Sequence, residues 1–354
     1  MADIADVINL PYFKAIIGHT FAIYLLVYLA GLILCSKMNV TMTGISHVLK
    51  LCHHDNLYRM LAGIKLSSRI LSVFFTNWIT SNRTQPGWLM LDDVVIDKDF
   101  SKMIAFTGHV YSTSLKRVVV GINIVVLYWT DGNIRIPLDF RLWIPKKKTK
   151  HYRTKVDLAI ELLTHNENFC KTCSYIAFDS WYCTESILKI ASILGLSCSS
   201  RLKKNRKVLF QRRMIPITAL PCRFHQVELP HFGNVLVYKV RLDDDHEDSY
   251  LMNTDVNLTA KGVKKRYRSR WGIEECFRYL KQNLGLGDCQ CRKDAAVRNH
   301  ISLVFLAHFA MEVLSSRLKK NVYETSSYLA DKFFAFDEKP PKLKQRKAFL
   351  KLVA

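Results

Sequence analysis

Asp92, Asp93, Asp179 and Glu274 are acids in places where a carboxylate is conspicuous. Asp92 and Asp93 interrupt the apolar stretch 88–96, where period-two burial turns at least one of them inward; Asp179 ends a second apolar stretch beside Trp181 and Tyr182. Glu274 stands in the most basic helical segment of the chain. Buried or strand-end carboxylates are costly unless they are paired or bind a cation. Three of them, brought together from two strands and a helix, make an oxygen cage suited to Mg²⁺. Two such ions, typically about 3.5–4 Å apart, activate a nucleophile and steady a leaving oxygen in phosphodiester chemistry. Around Glu274, the residues Tyr267, Arg270 and Lys281 recur at helical spacing, and at about 100° per residue all four fall within roughly 60° of one another. One helix face would then carry a hydroxyl, a guanidinium, a carboxylate and an ammonium, a metal ligand flanked by phosphate contacts. An amphipathic helix with a mixed charged surface accounts for that face equally well.

The spaced set Tyr267-x2-Arg270-x3-Glu274-x6-Lys281 resembles the Y-R-E-K signature of bacterial DDE transposases in the insertion-sequence-four superfamily. Residues 91–98 are similar to that family's first-aspartate strand, 178–182 to its second, and 283–292 to the segment after its glutamate. The likeness covers roughly 88–317, with a weaker match over the N-terminus. It implies a ribonuclease H-like catalytic domain with a β insertion before the glutamate. It also implies that Asp92, Asp179 and Glu274 are catalytic and hold two Mg²⁺, with Mn²⁺ as substitute, and that Tyr267, Arg270 and Lys281 hold DNA phosphates. The expected partners are double-stranded DNA, as terminal inverted repeats and target, and a second copy of the chain in a homodimer. No small-molecule cofactor is implied. Where the family often has Asp-x-Thr, this chain has Asp92-Asp93-Val94, which leaves Asp93 as an alternative to Asp92. A relative that binds DNA without cutting it, and a stand-alone nuclease of the same fold, are the rival functions.

Elements of the right kind are present to position these groups. Up to about residue 84 the apolar spacing is helical, and 41–61 reads as two short helices around a polar turn, a helix-turn-helix or a plain helical hairpin. After Gln85-Pro86-Gly87 the period changes, and 88–96, 117–129 and 134–144 read as an antiparallel meander. A helix over about 154–164, a strand over 173–178 and a helix over about 184–194 follow. Strand-strand-strand-helix-strand-helix is the ribonuclease H-like order, with the fourth strand beside the first. Short strands are expected at 207–210, 226–228, 235–241 and 249–251, then one long helix from about 260 or 262 to 284 and another over about 297–318. The expected fold class is α/β, a mixed sheet flanked by helices. Its expected units are a helical DNA-binding region 1–85, a catalytic domain in two parts, 86–196 and 259–325, a β-rich insertion 197–258 and a basic tail 326–354.

Charge narrows the partner. The chain of 354 residues carries a formal +22, which makes a polyanion the default partner. Segments 146–155, 201–213, 261–281 and 339–351 hold this excess, and the remainder is close to neutral. With 49% hydrophobic residues the chain fills a large core, which excludes wholesale disorder. The apolar run 21–35 is short for a membrane span and reads as a buried helix. Residues 1–11 carry acids in place of a basic leader, which with irregularly spaced cysteines predicts reduced thiols and a cytoplasmic, nucleoid-associated protein. Cys170-x2-Cys173 lacks a second pair to complete a zinc site, and the acidic run 243–248 reads as a solvated hairpin turn.

Overall fold

Strand β1, Trp88–Asp97, is the axis of the molecule: it pairs antiparallel with β3 (Arg117–Thr130) from Trp88↔Thr130 to Asp97↔Gly121, and parallel with β5 (Tyr175–Phe178) from Leu89↔Ile176 to Leu91↔Phe178. The structure is a computed structural model that describes residues 11–35, 40–101, 103–112, 115–221, 223–242 and 247–334, with side chains from residue 21 onward. Strand β4 (Arg135–Trp143) lies against β3, and β6 (Ser197–Leu202) runs parallel to β5. The spatial order β4-β3-β1-β5-β6 is that of a ribonuclease H-like sheet, and the α/β class expected from the sequence is the one found.

The sheet continues past this core. Strand β6 pairs on its other edge with β11 (Asp248–Asn253), followed by β10 (Gly233–Arg241), β9 (Phe224–Leu229), β7 (Lys207–Phe210) and β8 (Arg213–Pro216). The strands of the β segment therefore extend the ribonuclease H-like sheet edge to edge. Two of them, β6 and β8, were not expected as strands, nor was β2 (Gly108–Ser112), which pairs with the start of β3 inside the expected meander.

Helices cover the sheet. Helix α1 (Pro11–Leu34) includes all but the last residue of the apolar run 21–35 and is buried from Val27 on. Helices α2 (Met42–Leu49) and α3 (His54–Gly63) form the expected pair, and Ser46 Oγ donates to Cys52 O at 2.7 Å across their turn. Helix α4 (Ser68–Asn82) packs on β4. Helix α5 (Lys155–His165) starts from a capping box at Thr154 and Asp157 and packs on β3 and β4. After the single turn α6 (Glu167–Cys170), helix α7 (Glu185–Ile193) carries the chain from β5 to parallel β6. With helices against it, β3 is buried on both faces, which explains its unbroken Val/Ile run in place of alternation.

Helices α8 (Ala260–Arg268) and α9 (Trp271–Gln282) lead to α10 (Asp294–Leu318), whose residues are buried over most of its length. Among the described residues α10 is the helix long and apolar enough to cross a membrane, but 78% of its apolar window is buried inside the fold. Asn299 ties it to the N-terminal helices: its Nδ2 donates to Leu61 O and Ile64 O, each at 2.8 Å, and its Oδ1 accepts from Leu66 N at 3.2 Å. One apolar core runs from Leu25 through the sheet to Phe333 in α11 (Val322–Phe334). The nine described cysteines are unbridged. Residues 1–10 of the acidic N-terminal stretch, the basic segment 339–351 and residues 243–246 of the acidic turn lie outside the described residues.

Candidate active site

Asp92 and Asp179 each follow the last residue of a paired stretch, Leu91↔Phe178, so Asp92 in the middle of β1 lies beside Asp179, which follows the end of the shorter parallel strand β5. Asp92 Oδ1 accepts from the Asp93 backbone N–H at 2.8 Å. Asp179 Oδ1 accepts from the N–H groups of Trp181 at 2.9 Å and Tyr182 at 3.2 Å, which makes its loop a tight turn around its own carboxylate. Burial and the facing Asp179 carboxylate push the Asp92 carboxyl up to about 8, and burial raises that of Asp179 as well. Two acids held where neither ionises comfortably are waiting for positive charge.

Part of that charge comes from Arg270. Its guanidinium donates to Asp92 Oδ2 at 3.2 Å and to Glu274 Oε1 at 2.5 Å, so it forks between the first aspartate and the glutamate. Asp92, Asp179, Arg270 and Glu274 are thus one electrostatic cluster built from the middle of β1, the end of β5 and the α8–α9 segment. The oxygens of the three carboxylates do not all lie within 4.8 Å of one another, and Arg270 stands between two of them. The donor set nevertheless fits a hard cation: the three acids supply carboxylate oxygens around one guanidinium, which already serves as stand-in counter-ion to Asp92 and Glu274.

The helix carrying Glu274 departs from expectation. In place of one helix over 260–284, α8 ends at Arg268 and α9 begins at Trp271. At the junction Arg270 N bonds Tyr267 O at 3.1 Å and Ile273 N bonds Arg270 O at 3.0 Å, three-residue closures tighter than the α-helical ladder. Ser269 is the physical cause: its Oγ donates back to Arg266 O at 2.6 Å and accepts from Tyr175 OH at 3.0 Å, pinning the break to β5. The single face that spacing assigns to Tyr267, Arg270, Glu274 and Lys281 is therefore interrupted. Tyr267 packs with Leu236, Leu251 and Val263 under the β segment, its ring centre 5.8 Å from the Arg270 guanidinium carbon. Lys281 is exposed at the far end of α9, roughly 10 Å along the axis from Glu274 at 1.5 Å per residue, and is not drawn into the cluster.

Asp93 faces other company: Asn123 Nδ2 at 2.6 Å, Lys155 Nζ at 2.8 Å and Tyr182 OH at 2.9 Å all donate to it. The sequence reading missed this set, although Asn123 was visible as an amide in an otherwise apolar run. It also missed that Trp181 is an exposed indole with Lys155 and Lys203 ammonium groups 5.7 and 5.0 Å from its ring centre. Beside it Ser180, Arg201, Lys203 and Lys204 line a cleft of about 370 Å³ with Glu247 and Asp248 on its other side, Glu247 paired with Lys204, which brings the start of the basic segment 201–213 next to the second aspartate. His53, His54 and Asp55, whose ligand atoms lie close together, sit exposed at the start of α3, far along the chain from these groups.

The chain matches the family model described as DDE superfamily endonuclease over residues 12–219, a span that includes Asp92 and Asp179. It also matches the model described as archaeal putative transposase ISC1217 over residues 142–323, which includes Asp179 and Glu274. No curated protein matches it.

Proposed function

The chain belongs to the DDE superfamily of endonucleases, and from that premise we propose that it is a transposase that cuts DNA at the terminal inverted repeats of a mobile element and joins the freed ends to a target. The observation that carries this reading is the pair Asp92 and Asp179 on adjacent parallel strands, where their pairing stops, with Glu274 linked to Asp92 through the Arg270 fork. Asp92, Asp179 and Glu274 would hold the divalent cations, two Mg²⁺ with Mn²⁺ as substitute. When bound, such ions supply activation of water or a 3′-hydroxyl and stabilisation of the leaving oxygen.

The chain's own residues do the rest. Asp92 and Asp179 each have one carboxylate oxygen held by backbone N–H donors, which leaves the other to face a cation. Arg270, packed against the Tyr267 ring, offers a rigid fork suited to a phosphate oxygen next to the scissile bond. Lys281 at the far end of α9 and the residues lining the cleft beside Trp181 would hold the duplex on either side. On this reading 1–85 and 197–258 are DNA-contacting regions around a catalytic domain formed by 86–196 and 259–325, and two copies hold two ends together. The Tyr267, Arg270, Glu274 and Lys281 spacing supports placing the chain with the insertion-sequence-four transposases.

DNA flanking the coding region is the substrate to try. Incubated with the protein and Mg²⁺, fragments carrying both flanks should be nicked at matching inverted repeats and then joined to a second DNA. Cleavage without joining would favour a stand-alone nuclease, and binding without cleavage in Mg²⁺ or Mn²⁺ a silent relative.

A further inference from the structure

Asp93 is a second acid in β1 that the proposed chemistry leaves idle, yet its side chain is engaged from three directions. Consecutive strand residues point to opposite faces, and the two aspartates keep different partners accordingly. Oδ2 of Asp93 takes Asn123 Nδ2 at 2.6 Å from β3 and Lys155 Nζ at 2.8 Å from the first turn of α5; Oδ1 takes Tyr182 OH at 2.9 Å from the loop after β5. Tyr182 is fully buried, and its backbone N–H is one of the two that hold the Asp179 carboxylate. The Asp93 backbone N–H, in turn, holds that of Asp92. One residue therefore connects to both aspartates of the pair, Asp92 through its own amide and Asp179 through Tyr182.

We propose that Asp93 is a positioning residue that sets the separation of Asp92 and Asp179, with Asn123, Lys155 and Tyr182 as its clamps. To fix the distance between the two carboxylates, the loop bearing Asp179 must be tied to β1. The Tyr182 hydroxyl on Asp93 is that tie. Lys155 balances the Asp93 charge, so the brace adds no net negative charge behind the pair. The inference rests on the assignment of Asp92 and Asp179 as the cation-holding pair.

The test is Mn²⁺ binding to the full chain without DNA, read by electron paramagnetic resonance of the free ion, with circular dichroism and thermal melting in chelator as controls. Tyr182→Phe removes one oxygen, and Asp93→Asn keeps the shape of the brace but not its charge. Both should weaken Mn²⁺ binding about tenfold or more, the usual cost of losing a group that orients a ligand, with helical content unchanged. Asp179→Ala should abolish binding. If Asp179→Ala abolishes it while Tyr182→Phe and Asp93→Asn bind like the parent, the positioning role is overturned and the site assignment stands. If Asp179→Ala binds like the parent, both fall. If Asp93→Asn loses binding completely while Asp92→Asn retains it, Asp93 is a ligand and not a brace.

Discussion

Arg270 is the residue on which the site's charge balance turns. Lysine at that position keeps the charge but offers no planar fork to reach Asp92 and Glu274 together. Arg270→Lys should therefore lower strand cleavage by roughly tenfold or more, a loss of 1.4 kcal/mol or more at about 1.4 kcal/mol per decade, with the melting temperature little changed. Single-turnover cleavage kinetics alongside a thermal melt would check this. A second residue-scale expectation concerns stability. Glu312 in α10 accepts from Arg135 N–H at 3.1 Å and lies 3.7 Å from His308, with Cys276, Arg83 and Asp131 also near. Burial pushes the Glu312 carboxyl up to about 7 and the His308 imidazole down to about 3, so at neutral pH their approach is not an ion pair. A carboxyl whose folded value is raised binds more protons folded than unfolded, so the Glu312 contribution to stability falls as pH rises from about 4.5 to about 7, while the lowered His308 contributes with the opposite sign below about 6.5. Glu312→Gln, which keeps the acceptor without the charge, should melt higher than the parent at pH 8, with the gap closing by pH 5.

Elements explain both what the sequence told and what it withheld. Asp92, Asp93 and Asp179 were legible because acids in apolar strands are costly, and their strand order followed from pattern alone. The junction between α8 and α9 was not legible, because Ser269 tightens the turn without altering the apolar spacing. Strand β6 was hidden for a different reason: Ser199 and Ser200 look like loop residues, but pairing with β5 on one edge and β11 on the other buries both. Long-range pairing overrode local composition there. Two glycines, one at the start of α9 and one just after its end, give opposite expectations. A Cβ on Gly272, in the first turn of α9, would meet only Met90 and Arg135 atoms at 3.7–3.8 Å, ordinary contact, so Gly272→Ala should stabilise by up to about 1 kcal/mol. Gly285 has φ +63° and its Cβ would lie 2.6 Å from Val40 Cβ, so Gly285→Ala should cost about 1–3 kcal/mol. Urea titrations of the two variants would separate these signs.

For the whole molecule, the +22 charge has a direction. The first two basic segments meet at Trp181, through Lys155 and Lys203, and the third surrounds Glu274. The sequence showed the segments but not their convergence, which depends on β6 running parallel to β5. If these faces neutralise phosphates, binding falls steeply with salt, with a log–log slope of about −0.9 per contact. Replacing the exposed Lys203, Lys207 and Arg212 by alanine should weaken binding to any duplex and flatten the slope by about 2–3. The most direct measurement is strand cleavage of terminal-repeat DNA by Asp179→Ala and Glu274→Ala proteins against the parent, in Mg²⁺ and in Mn²⁺. Both variants should bind the DNA but cut it at least about a hundredfold more slowly, since the carboxylates hold the ions that supply several kcal/mol of transition-state stabilisation. Cleavage at the parent's rate by either variant would contradict the assignment.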